Sequence, residues 1–199
     1  MPRHQRPAPK STSTGTIRLI SGQWRGRKLP VLNAEGLRPT TDRVKETLFN
    51  WLAADIRDSR CLDVFSGSGS LGFEALSRYA QYVMMIEKEP VSARQLQKNL
   101  ETLSCQAADV MCQDALNVLA QPCRHPFDIV FLDPPFRKDL LPAAIGLLEA
   151  QGWLSEQALI YIECEREITS LTVPETWHLS KEKAAGQVCY QLYERALEL

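Results

Sequence analysis

The chain has 199 residues, 44% of them hydrophobic and 24% charged, a globular composition with enough length for one well-buried core. No apolar run approaches the 18 residues of a membrane helix and no apolar segment follows the basic start, so membrane spanning and secretion are excluded and a cytoplasmic location is expected. The formal net charge of −1 hides an asymmetry: residues 1–45 hold ten Lys/Arg against two acids, a balance of +8, while the other 13 basic and 22 acidic residues give −9. A basic arm on an acidic domain is the arrangement expected where one end of a protein meets a polyanion. Six cysteines without CxxC spacing read as reduced core thiols, and Cys123 with His125 lacks a second ligand pair, so no metal is expected.

In chain order, residues 1–15 combine three prolines with a Ser/Thr run and cannot bury a core, which predicts a disordered basic tail. Residues 16–40 predict a small basic β-hairpin and loop: Ile17–Ile20 and Trp24–Leu29 flank the turn signal Ser21-Gly22, and Arg25, Arg27 and Lys28 lie on an exposed edge. Residues 41–199 predict the main domain. Thr40 or Thr41 caps a helix that buries Val44, Leu48, Trp51 and Leu52 at i, i+4, i+7, i+8 spacing. From Arg60, short apolar runs at 60–65, 82–87, 107–113, 127–132 and 157–163 alternate with helical segments at 70–79, 90–103, 115–120 and 139–150. Pro90 suits a first helical turn, and Asp139 is the expected N-cap of the last helix. Trp177–Lys181 and Val188–Glu194 flank a Lys-Ala-Ala-Gly connection, an antiparallel hairpin closing one edge. The expected architecture is an α/β fold: a seven-stranded, mostly parallel sheet with helices on both faces, an antiparallel C-terminal hairpin and a small N-terminal β-hairpin.

Asp63-Val64-Phe65-Ser66-Gly67-Ser68-Gly69-Ser70-Leu71-Gly72 is a strand running through a glycine-rich turn into a helix. Gly67 and Gly69 permit a tight turn and close ligand approach, and Gly72 permits close helix–strand packing. The same spacing serves NAD and FAD domains. Glu87, ending the next strand 20 residues after Gly67, is placed to accept hydrogen bonds from ribose hydroxyls, which also fits NAD. Asp63 separates the readings: its carboxylate suits the cationic methionine moiety of S-adenosylmethionine and opposes a pyrophosphate. Asp114, followed by Ala115, either offers its carboxylate to an adenine amino group or caps a helix. Asp133-Pro134-Pro135-Phe136 directly follows an apolar strand, at the sheet edge where ligands bind in open α/β folds. Two prolines remove two amide donors, leaving the Pro134 carbonyl and the Asp133 carboxylate as acceptors only. Accepting both hydrogens of a base NH2 shifts its nitrogen towards pyramidal geometry and raises its nucleophilicity for in-line attack on a sulfonium methyl. Phe136 is placed to stack on a displaced base.

The glycine turn with Asp133-Pro134-Pro135-Phe136 resembles the class I methyltransferases bearing the (D/N)PP(Y/F/W) signature of amino-group methylation. The longer strings Arg18–Leu29, Leu37–Val44 and Leu48–Leu52 resemble the bacterial RsmD family, a likeness that covers nearly the whole chain from about residue 16. The resemblance implies S-adenosylmethionine-dependent methylation of the N2 amine of guanine 966 in 16S rRNA. It gives cofactor roles to Asp63, Gly67, Gly69, Glu87 and Asp114, beside which Ser66, Ser68 and Ala115 are further cofactor-binding candidates, and the catalytic role to Asp133 through Phe136. Arg25, Arg27, Lys28, Arg38, Arg43 and Lys138 are the candidates for phosphate contacts, with 16S rRNA, free or within the small ribosomal subunit, as partner of a monomeric enzyme. Rival readings are a nicotinamide-dependent oxidoreductase, a non-enzymatic RNA-binding module, and an amino-group methyltransferase acting on DNA adenine or protein glutamine.

Overall fold

The computed structural model describes residues 14–32, 42–167 and 171–196. The tail up to residue 13, the proposed caps Thr40 and Thr41, and Arg38 lie outside the described residues. Two strands, β1 (Thr14–Arg18) and β2 (Lys28–Leu32), form an antiparallel hairpin. Helix α1 (Asp42–Trp51) follows, and then the alternation expected from the apolar runs: β3 (Arg60–Asp63), α2 (Ser70–Ser77), β4 (Tyr82–Ile86), α3 (Pro90–Thr102), β5 (Ala108–Met111), α4 (Ala115–Leu119), β6 (Phe127–Leu132) and α5 (Leu141–Ala150). Three strands complete the sheet: β7 (Leu154–Glu165), β8 (Trp177–Ala185) and β9 (Val188–Arg195). Their order is β5-β4-β3-β6-β7-β9-β8, parallel from β5 to β7, with β9 and β8 joined antiparallel. The strand order reverses between β3 and β6, so the carboxyl ends of these two neighbours open a crevice.

Short apolar runs become buried parallel strands because both sheet faces are covered. On one face the hairpin, α1, α2 and α3 bury Ile17, Leu29, Leu48, Phe49, Phe73 and Leu96 against Cys61, Met85, Phe131 and Tyr161. On the other, α4 and α5 bury Val118, Leu119, Ala144 and Leu148 against Leu62, Val130 and Ile160. Among the described residues no helix is long and apolar enough to cross a membrane.

Four local expectations change. The hairpin ladder ends at Arg18 and resumes at Lys28, because residues 20–24 leave it to dock on the end of α2. There the Glu74 carboxylate, 0% exposed, accepts from the amides of Ile20 (2.9 Å) and Ser21 (3.2 Å), and Gln23 N donates to the Ser77 carbonyl at 2.8 Å. Gly22 has φ +80°, and a Cβ on it would lie 1.7 Å from the Ser77 carbonyl oxygen. Helix α1 is rotated from its apolar pattern: Lys45 and Phe49 are buried with Leu48, while Val44 and Trp51 are half-buried. Lys45 is taken inside because its ammonium donates to the Arg18 carbonyl at 2.7 Å and pairs with Asp42 at 3.6 Å. Burial lowers its pKa against the opposing pull of Glu74 and Asp42. Asp139 is not the N-cap of α5: it sits at φ 51°, Leu140 takes that position, and Pro142 in the first turn removes a donor that would otherwise need a cap. Finally, β8 runs on to Ala185. The Ala185↔Val188 pair leaves a two-residue loop whose first position needs positive φ, and Gly186 supplies it at 61°.

Candidate active site at the carboxyl ends of β3, β4 and β6

Strand β3 ends in Asp63, and the chain turns through Ser66–Gly69 into α2. Gly67 and Gly69 adopt φ 51° and 75°, a left-handed backbone that suits glycine. A side chain at Gly69 would also meet Phe73 and Leu96 at 2.6 Å. Gly72 lets α2 lie close to the sheet, where its amide donates to Asp63 Oδ2 at 3.0 Å. Ser66 closes the turn, donating from Oγ to the Asp63 carbonyl at 2.9 Å and from its amide to the Ile86 carbonyl at 3.0 Å. Asp63 is 3% exposed, and burial pushes its carboxyl up to about 7; the Gly72 amide opposes that shift and the charge of Glu87 adds to it.

Glu87 is tied to the same turn. Its Oε2 accepts from Gly67 N at 2.9 Å and its Oε1 from Glu89 N at 2.7 Å, so the carboxylate is fixed beside the glycines. Burial raises its pKa, and these two amides pull the other way. Val31 and Leu32 of β2, Gly67, Ser68, and Ser92, Gln95 and Leu96 of α3 line a shallow hollow next to this turn. At the end of β5, Asp114 caps α4, its Oδ1 accepting from Leu116 N at 3.0 Å and Asn117 N at 3.4 Å. Of the two readings open to Asp114, the cap is therefore observed; Ala115 is buried behind it.

Strand β6 delivers Asp133 to the crevice one residue beyond Leu132. Pro134 is buried, Pro135 is exposed, and Phe136 is half-buried against the face carrying α1, α2 and α3. The turn is tethered by a bond that no sequence pattern announces: Arg137 N donates to Glu165 Oε1, the last residue of β7. Also missed were Tyr161 and Glu163, which precede Glu165 at alternate positions and so share one face of β7. The polar end of that alternation was the available signal.

The phosphate candidates divide into two groups. Arg43, exposed on the first turn of α1, lies near Tyr190, whose pKa it lowers against the larger upward effects of burial and Glu163. Lys138 is exposed in the loop after Phe136. Arg25, Arg27 and Lys28 are exposed too, but the structure does not bring them to the crevice. They follow the loop docked on the C-terminal end of α2, and α2 runs antiparallel to β3, so that loop sits at the opposite edge of the sheet.

The acceptors gathered at the crevice suit a ligand that carries positive charge and hydroxyls, and they oppose a pyrophosphate. With this strand order, the glycine turn, the acid ending β4 and the acceptor-only turn after β6, the fold and site define a class I methyltransferase. The chain belongs to the family whose model, described as conserved hypothetical protein 95, matches residues 17–194. It is 56% identical over 187 residues to the ribosomal RNA small subunit methyltransferase D of Escherichia coli K12, covering 94% of each chain. It is 57% identical over 183 residues to the protein of the same name from Haemophilus influenzae, covering 90% of this chain and 94% of that one. Among solved structures, a putative methyltransferase of Escherichia coli superposes with a TM-score of 0.87 at 55% identity, covering 92% of this chain and 99% of its own.

Proposed function

We propose that this protein transfers a methyl group from S-adenosylmethionine to the exocyclic N2 amine of a guanine in bacterial 16S ribosomal RNA, the guanine at position 966. The observation that carries the reading is the Asp133-Pro134-Pro135-Phe136 turn at the carboxyl end of β6, beside a glycine turn flanked by two carboxylates. The identity to ribosomal RNA small subunit methyltransferases over nearly the full chain supports the substrate class.

The cofactor supplies an electrophilic methyl group on a sulfonium. Glu87, held by the Gly67 and Glu89 amides, accepts from the ribose hydroxyls, and Asp63 sets a negative charge beneath the turn for the methionine end. Ser66, Gly67, Ser68 and Gly69 wrap that end. Asp114 and Ala115 border the adenine, Asp114 with the oxygen atoms its capping role leaves. Asp133 and the Pro134 carbonyl accept the hydrogens of the target amine, and Phe136 stacks on the base. After transfer the methylated nitrogen is cationic and acidic, so its proton leaves without a strong base. Arg43 and Lys138 hold nearby phosphates, Arg25, Arg27 and Lys28 hold a more distant stretch of RNA, and Arg38 is a further phosphate contact.

The test is transfer of labelled methyl to ribosomal RNA from a strain lacking this protein, followed by nucleoside analysis. N2-methylguanosine is expected. Methyladenosine, or no transfer to RNA by a folded protein that binds the cofactor, would refute the reading.

A further inference from the structure

Strands β6 and β7 run parallel with Phe131 opposite Tyr161 and Leu132 opposite Ile162. One step further on, Asp133 follows the end of β6 beside Glu163, which still lies within β7. They share a face, because residues two apart on a strand point the same way and Phe131 and Tyr161 belong to the same core cluster. Neighbouring strands lie roughly 4.8 Å apart, which places the two carboxylates within reach of one planar ring.

Glu163 is 9% exposed. The fully buried Tyr161 phenol donates to its Oε2 at 3.1 Å, anchoring the carboxylate at the crevice end of β7. Both acids bear on that phenol: burial, then Glu163, then Asp133 raise its pKa well above the ordinary range, so it stays a donor. Tyr190, paired with Glu163 across β9, closes the other side, and Arg43 brings a positive charge to it.

Asp133 and the Pro134 carbonyl account for the two hydrogens of an amine. Guanine has a third donor on the same edge, N1–H, directly beside the 2-amino group. Adenine and cytosine instead carry a ring-nitrogen lone pair next to their amine. We propose that Glu163, held in place by Tyr161, accepts the N1–H of the target base and is the residue that selects guanine. The inference rests on the amino-methylation reading of the Asp133 turn. A base with a lone pair at that position meets a carboxylate, and a partly buried acceptor facing an acceptor is strongly disfavoured.

The experiment compares kcat/KM on an RNA substrate bearing guanine, or 2-aminopurine, at the target position. 2-Aminopurine keeps the amine and lacks N1–H. Wild type is expected to prefer guanine by at least tenfold, and Glu163→Ala to bring that ratio close to one. Glu163→Gln, which keeps an uncharged carbonyl acceptor, should retain a ratio between those of wild type and Glu163→Ala and at least threefold below wild type. Tyr161→Phe should lower it by a few-fold through loss of the anchor. S-adenosylmethionine affinity reports that each variant is folded; if Glu163→Ala is not, Glu163→Gln decides alone. A wild-type ratio in a folded variant, or equal losses on both bases, overturns the role of Glu163. Wild-type protein that places no methyl on guanine N2 overturns the underlying reading instead, and nucleoside analysis tells the two apart.

Discussion

Asp63 illustrates how one buried carboxyl links fold stability to ligand charge. Its folded value of about 7 stands above the ordinary 3.8, so the protonated form is favoured by folding. The stability associated with that proton is complete below about 4 and lost as pH rises towards 7. Asp63→Asn keeps an oxygen for the Gly72 amide and has no charge to bury, so in denaturant titrations the variant should gain on wild type between about pH 4 and about pH 7. An unchanged difference between the two proteins would show that Asp63 is ionised throughout. A cationic cofactor beside it draws the group back to its ionised state, and binding then releases protons in the same pH window. Glu87→Ala removes two charge-assisted acceptors and the anchor of Gly67, and calorimetry should find S-adenosylmethionine bound at least tenfold more weakly. Asp133→Ala should slow single-turnover transfer by about a hundredfold or more with a smaller effect on cofactor affinity; a near-normal rate would remove it from the chemistry. These three acids were legible in the sequence because each ends or follows a strand. Glu163 was missed: the polar end of the β7 alternation marks it, but its place beside Asp133 comes from the register between β6 and β7, which that local alternation does not encode.

At the level of elements, periodicity placed the parallel strands and their helices to within a few residues, because each run is apolar and each connection short. It misjudged the N-terminal segment for a physical reason. The amides of Ile20, Ser21, Gln23 and Trp24 donate to partners more than fifty positions away, Glu74 and Ser77, while the carbonyls of Gly22 and Trp24 accept locally from Arg25 and Arg27. The sequence shows Gly22 as a turn signal, and in the fold its carbonyl does accept from Arg25 N at 3.2 Å, but the same glycine is also a contact surface against the Ser77 carbonyl. Gly22→Ala should therefore destabilise the protein by at least about 2 kcal/mol, combining left-handed strain with a backbone clash. Thermal and chemical unfolding read this directly, and a loss below about 0.5 kcal/mol would mean that the loop detaches easily. Lys45 was likewise unreadable: a lysine on a helix is expected in solvent, and the Arg18 carbonyl, Asp42 and the charge of Glu74 explain its burial.

For the whole molecule, the charge asymmetry remains the plainest signal, and the structure redistributes it. Lys45 is withdrawn into the core, Arg43 and Lys138 stay exposed on the first turn of α1 and in the loop after Phe136, and Arg25, Arg27 and Lys28 stay exposed in and just after the loop docked on the C-terminal end of α2. Neutralising the last three together should weaken RNA binding and flatten its salt dependence by about 0.7 to 0.9 log units for each phosphate that goes unneutralised, without altering cofactor affinity. Salt titrations with identical slopes for wild type and variant would exclude that loop from the RNA surface. Helix α2 separates the loop from the glycine turn by its eight residues, roughly 12 Å, and the crevice lies beyond. Substrate size thereby becomes a variable of its own. An oligonucleotide of a few nucleotides centred on the target base can fill the crevice without reaching the loop, and it should not distinguish wild type from the triple variant. An RNA long enough to run along the flank of the protein engages both ends, so the advantage of the basic loop should appear only above a threshold length.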